Sequence, residues 1–148
     1  MTPEPNYRLP TSVTPNRYDI TLTPNLTEFT FTGEISVEID ISAPTSQLIL
    51  NAAELDISDA TVLLANGTHI EAKEITLDQQ METATLSLNS EVPAGKAVLN
   101  SHFRGILNDQ LRGFYRCQYV GADDQEHYLA TTQFEATDAR RAFPCWDE

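Results

Sequence analysis

Phe29-Thr30-Phe31-Thr32-Gly33-Glu34-Ile35-Ser36-Val37-Glu38-Ile39-Asp40-Ile41 is the stretch that decides the fold class. Phe29, Phe31, Ile35, Val37, Ile39 and Ile41 all take odd positions. Thr30, Thr32, Glu34, Ser36, Glu38 and Asp40 take the even ones. In an extended chain, alternate side chains point to opposite faces. The stretch therefore reads as a long strand with one buried and one wetted face. Gly33 interrupts the apolar face and is expected to mark a bulge or a bend. Ala43-Pro44 ends the strand.

The same period extends outward in both directions. Upstream, Tyr18, Ile20 and Leu22 alternate with Asp19, Thr21 and Thr23, and Pro24 is expected to stop the run. Residues 1–16 carry Pro3, Pro5, Pro10 and Pro15 and read as an extended arm. Downstream come Leu48-Ile49-Leu50, then Ile57 to Leu64, which runs into Asn66-Gly67, a strong hairpin signal. Ile70 to Leu77 reads as the return strand. Ala84, Leu86 and Leu88 form another alternation, and Pro93-Ala94-Gly95 turns the chain into Ala97 to Phe103. Gly113 to Val120 and His127 to Thr132 read as a last pair. No helical period is sustained before residue 136. The expectation is a single all-β domain over residues 1–148, an antiparallel sandwich or strongly twisted sheet of about eight or more strands.

Composition narrows the partners. The net charge is −13, from 9 Lys and Arg against 22 Asp and Glu. That balance disfavours nucleic acid, whose phosphates need clustered cations, and anionic membrane surfaces. Met1 to Arg8 shows neither a basic n-region nor an apolar h-region. No apolar run approaches a membrane span. A cytoplasmic protein is expected, in which the sequons Asn25-Leu26-Thr27 and Asn66-Gly67-Thr68 are chance matches. Cys117 and Cys145 are too few for a disulfide framework and read as free thiols packed as small hydrophobes.

A self-sufficient catalytic set is not visible. His69, His102 and His127 have no H-E-x-x-H spacing, and the cysteines form no C-x-x-C. There is no G-x-S-x-G and no Gly-rich phosphate loop. Catalytic and metal-binding residues are therefore expected to be absent from this chain.

Polar chemistry concentrates near the end, in Gln133-Phe134-Glu135-Ala136-Thr137-Asp138-Ala139-Arg140-Arg141-Ala142-Phe143-Pro144-Cys145-Trp146-Asp147-Glu148. A motif this rich at the last residues is expected to lead into further chain. Gln133 and Glu135 share a face of an extended segment, about 6.6 Å apart along it, with Phe134 opposite. Two readings stand side by side. The pair is either solvated polar decoration over a buried Phe134, or a clamp in which the Glu135 carboxylate accepts from a cation and the Gln133 amide orients a neighbouring group. Asp138 to Phe143 can form a helical turn capped by Thr137 or Asp138, and Pro144 ends it. Phe143, Cys145 and Trp146 read as an apolar surface at the entry to a following domain, or as side chains folded back on the sheet.

T-T-Q-F-E-A-T-D-A-R-R-A-F-P-C-W-D-E, Thr131 to Glu148, resembles the segment closing the N-terminal domain of aminopeptidase N-like zinc metallopeptidases, the gluzincin aminopeptidases. Tyr7-Arg8-Leu9-Pro10 with Pro15-Asn16-Arg17-Tyr18-Asp19-Ile20 is similar to their opening. Phe31-Thr32-Gly33 also fits, as does Leu107 to Arg116, although Cys117 stands where a serine is common. The resemblance implies a saddle-like all-β domain packed on a thermolysin-like catalytic domain. The H-E-x-x-H and G-x-M-E-N motifs of that catalytic domain, and its zinc, would lie beyond Glu148. It implies that Glu135 binds the free α-ammonium of a peptide and that Gln133 lines the pocket for the first side chain. The partners it implies are the chain's own downstream catalytic domain and peptides with a free N-terminus. It further implies that these 148 residues alone are inactive.

Such a carboxylate has a chemical logic. A model α-amino group has a pKa of about 7.7 to 8.0 and is largely cationic at neutral pH. A desolvated carboxylate attracts it and finds no partner on a blocked peptide. Two other readings remain: a non-catalytic sandwich acting as a scaffold or protein-binding module, as in a family member without zinc ligands, and a carbohydrate-binding sandwich. The latter usually displays several aromatics, whereas Trp146 is the only tryptophan.

Overall fold

The computed structural model describes residues 8–147. It contains β1 (Val13–Asn25), β2 (Thr30–Ile41), β3 (Thr45–Asn51), β4 (Leu55–Leu64), β5 (His69–Asp78), β6 (Thr83–Val92), β7 (Gly95–Ile106), β8 (Gly113–Val120) and β9 (Glu126–Gln133). A single 3₁₀ turn, Ala139–Arg141, follows. Seven strands form one curled antiparallel sheet in the order β1-β2-β7-β4-β5-β6-β3, and β8-β9 form a separate hairpin. The all-β expectation, the strand number and the short helical turn are all found.

The period of two explains the curl. Val37, Leu99 and Val62 are register partners across β2, β7 and β4, and none has measurable exposure. Leu48 and Leu86 make an equivalent buried pair across β3 and β6. One sheet face must bury both rows, so it closes on itself around them. β5 makes the corner. Its first residues, His69 to Glu71, pair with β4, while Ala72 to Asp78 pair with β6 across a register shift between Ala72 and Glu74. A bulge there sharpens the local twist. The Asn66-Gly67 turn forms as its chemistry requires, with Gly67 at φ +87° and the Thr68 N–H donating to Asn66 Oδ1 at 2.9 Å.

Three local expectations are corrected. β1 already begins at Val13, so the last part of the proposed arm is strand; residues 1–7 lie outside the described residues. Pro24 does not stop β1, because it pairs with Phe31 on the outer strand, where a missing N–H leaves no ladder bond broken. Gly33 is neither bulge nor bend. It stays in register between Leu22 and Phe103, and a Cβ there would stand 2.4 Å from Phe103 Cζ. Gly105, opposite Phe31, is covered in the same way, with its would-be Cβ 2.5 Å from Phe31 Cζ. Two neighbouring glycine–phenylalanine pairs thus fill each other's gaps on the core face.

On the wetted face, His102 of β7 lies between carboxylates of β2 and β4. Its Nδ1 is 2.9 Å from Asp59 Oδ1 and its Nε2 is 3.5 Å from Glu34 Oε2. Hydrogen bonding and attraction to Asp59, with a smaller contribution from Glu34, raise its pKa above the ordinary histidine value. A raised folded-state pKa adds stability below the unfolded value, which is lost as pH rises through the folded one. All three side chains are more than half exposed, so the effect is small. We expect a modest fall in Tm as pH rises above the ordinary histidine value of about 6.5, and a flatter profile for His102→Gln. An equally steep profile in that variant would show that His102 is not the group responsible.

The terminal segment folds back on the sheet, which corrects the reading of Phe143, Cys145 and Trp146 as an open apolar surface. Asn51 N–H donates to the Cys145 carbonyl at 2.7 Å, and Cys145 N–H to the Asn51 carbonyl at 3.0 Å. The Trp146 N–H donates to the Tyr18 hydroxyl at 2.9 Å, and the Asp147 N–H to Asn51 Oδ1 at 3.2 Å. Phe143 packs edge-on against both Tyr18 and Phe134, each at 5.9 Å between centroids. Cys145 is only 3% exposed. Burial pushes its thiol up to about 12, and Tyr18 likewise up to about 12. Both cysteines are free.

Candidate functional site

Gln133 is the last residue of β9 and pairs with Gly113, the first of β8. Phe134 turns inward, half-buried against the Phe143 ring. Gln133 and Glu135 are both exposed. The alternation read from the sequence is therefore present, and the two residues are also joined directly. Gln133 Oε1 accepts a hydrogen bond from the Glu135 backbone N–H at 2.9 Å. The Glu135–Ala136 peptide is cis. The Asp138 N–H then donates to the Phe134 carbonyl at 2.9 Å, closing a short turn that displays Glu135.

No described cation lies within ion-pair distance of the Glu135 carboxylate, although two arginines follow closely in sequence. Both are engaged elsewhere. Arg140 reaches Glu82 and Asp147, each at 3.2 Å. Arg141 reaches Asp138 and Glu82 at 2.9 Å and Glu54 at 3.0 Å. Burial acts to lower the Arg141 pKa, but Asp138, Glu54 and Glu82 outweigh it and raise it. The expected side-chain cap on the helical turn does not form, because the Asp138 carboxylate is committed to Arg141 Nε. Sequence reading missed this network. Glu82 lies 58 and 59 positions from its two arginines, and only the fold brings them together.

Among the described residues, no three His, Cys, Asp or Glu side chains are grouped so as to hold a metal ion. The ion-pair partners of His102 are Asp59 and Glu34, and that of His127 is Asp123, with the His127 ring stacked on Tyr119 at 5.5 Å between centroids. This chain's described residues therefore do not fit a zinc site. None of the described helices is long and apolar enough to cross a membrane.

The curled seven-stranded sheet carries a separate β8-β9 hairpin, beyond whose end Glu135 stands exposed beside Gln133, while Arg140 and Arg141 tie the exit segment to carboxylates of the sheet's turns. The profile of the Peptidase M1 N-terminal domain family matches residues 14–148, and the chain belongs to that family. Aminopeptidase M1-C from Oryza sativa subsp. japonica is 45% identical over 141 residues, covering 95% of this chain and 16% of its own length. Aminopeptidase M1 from Arabidopsis thaliana is 41% identical over 144 residues, with the same two coverages. Puromycin-sensitive aminopeptidase from Caenorhabditis elegans is 38% identical over 141 residues, 95% of this chain and 15% of its own length. The chain thus spans about one sixth of the length of the curated relatives it matches.

Proposed function

We propose that this chain is the N-terminal domain of a zinc-dependent aminopeptidase that removes N-terminal residues from peptides. In this reading Glu135 receives the substrate α-ammonium and Gln133 lines the pocket for the first side chain. The observation that carries it is the exposed Glu135 carboxylate, which has no ion pair among the described residues and is set beside Gln133 while both neighbouring arginines are engaged elsewhere. A carboxylate so placed can take an incoming cation without first breaking a pair. Zinc, if held by residues outside this chain, would supply an activated water. The role of the residues described here is to bind and orient. The relatives' names and lengths support the reading, since each is an aminopeptidase several times longer than this chain. A cytoplasmic setting belongs to the proposal; two free thiols suit a reducing compartment.

The test compares free and N-acetylated peptides in the full-length enzyme, with and without Glu135→Gln. Selective loss on the free peptides supports the clamp. Equal loss on both, or none, refers Gln133 and Glu135 back to solvated decoration. We further propose that the 148 residues alone are inert. The purified chain, assayed on aminoacyl arylamides, is expected to show no chelator-sensitive turnover and no stoichiometric zinc. Either finding would overturn that part of the reading.

A further inference from the structure

We propose that Arg141 is the positioning residue of the Gln133–Glu135 pair, an inference that rests on the substrate-binding reading above. Its side chain is only 9% exposed and meets three carboxylates. Nε donates to Asp138 Oδ1 at 2.9 Å, while Nη2 meets Glu82 Oε1 at 2.9 Å and Nη1 meets Glu54 Oε1 at 3.0 Å. Glu54 immediately precedes β4 and Glu82 immediately precedes β6. The guanidinium therefore fastens the segment following Glu135 to two separate turns of the seven-stranded sheet.

Arg141 also reaches the pair from both sides. On one side it holds Asp138, whose N–H closes the turn carrying Glu135. On the other it packs on Gly113, the ladder partner of Gln133. A Cβ on Gly113 would stand 2.6 Å from Arg141 Cβ, and Gly113 sits at φ +71°. The two neighbours of the clamp are thus referenced to one buried cation. Arg140 differs, because besides Glu82 it engages Asp147 of the terminal tail, and its carbonyl accepts from the Ala53 N–H. A lysine cannot replace Arg141, since a single ammonium lacks the planar fork that meets three carboxylates in fixed directions.

The experiment uses the full-length enzyme and an aminoacyl arylamide. Arg141→Lys is expected to raise KM about tenfold, short of the roughly hundredfold cost of a full 1 Å misplacement. Its kcat per active site should be nearly unchanged. In a Glu135→Gln background the same substitution should raise KM little further, because the group it positions is already gone. Gly113→Ala provides a second route, pressing on Arg141 without altering its guanidinium, and should give the same KM-selective pattern; it decides the matter if Arg141→Lys does not fold. An unchanged KM with a lowered Tm, or an effect fully additive with Glu135→Gln, would overturn the inference. If Glu135→Gln alone changes nothing, the substrate-binding reading falls and this one with it. If Glu135→Gln acts and Arg141→Lys leaves KM unchanged, only the positioning role falls.

Discussion

Glu135→Gln in the full-length enzyme is expected to lower kcat/KM for peptides with a free N-terminus by roughly ten- to a hundredfold. The substitution keeps the side-chain shape and removes the charge. A hydrogen bond to a charged group is worth about 1.5 to 3 kcal/mol, and each 1.36 kcal/mol is about tenfold in rate. Tm should change little, because the carboxylate has no ion pair among the described residues and its backbone N–H keeps the bond to Gln133. The gap between variant and wild type should narrow above about pH 8, where a model α-amino group loses its proton. Gln133→Ala should act more weakly and mainly on preference for the first side chain, although it also removes the acceptor for Glu135 N–H. Wild-type kcat/KM in a Glu135→Gln enzyme shown to contain zinc would make the α-ammonium role untenable.

The fold was legible because its signal is local. The odd-numbered apolar residues of β2 lie within one run, and a sheet face needs nothing else to declare itself. The hairpin turn at Asn66-Gly67 was readable for the same reason. The exposure of Gln133 and Glu135 about a half-buried Phe134 was legible too, although β9 ends at Gln133 and a turn, not the strand, carries Glu135. What stayed hidden depends on contacts distant in sequence. Gly33 looked like a defect because its filler, Phe103, comes from another strand. The exit segment looked open because Asn51 and Tyr18, which hold it, are remote in sequence. The arginine pair could be seen, but not its acidic partners. Among 22 acidic residues, nothing in composition singles out Glu54 and Glu82.

Phe31→Ala is expected to destabilise this chain by about 3 to 5 kcal/mol, the range for losing a buried phenylalanine. Phe31 is 1% exposed and packs edge-on against Phe114 at 5.0 Å between centroids. Its ring also covers Gly105, which has no side chain to relax into the void. Phe114 belongs to β8, next to Gly113 and hence to the ladder partner of Gln133, so the loss should also loosen the hairpin that carries the candidate site. Urea unfolding supplies the measurement, with the midpoint shift read at constant slope. The partner glycine separates ring packing from a general loss of apolar area. Gly105→Ala alone should destabilise, because its Cβ would stand 2.5 Å from the buried Phe31 ring. In the Phe31→Ala background the same methyl enters vacated space and should be neutral or stabilising. That reversal of sign is a coupling energy, and additivity is not expected between groups in contact. If Gly105→Ala costs the same in both backgrounds, the Phe31 ring does not occupy the place the glycine leaves, and the paired glycine–phenylalanine account of this part of the core is wrong.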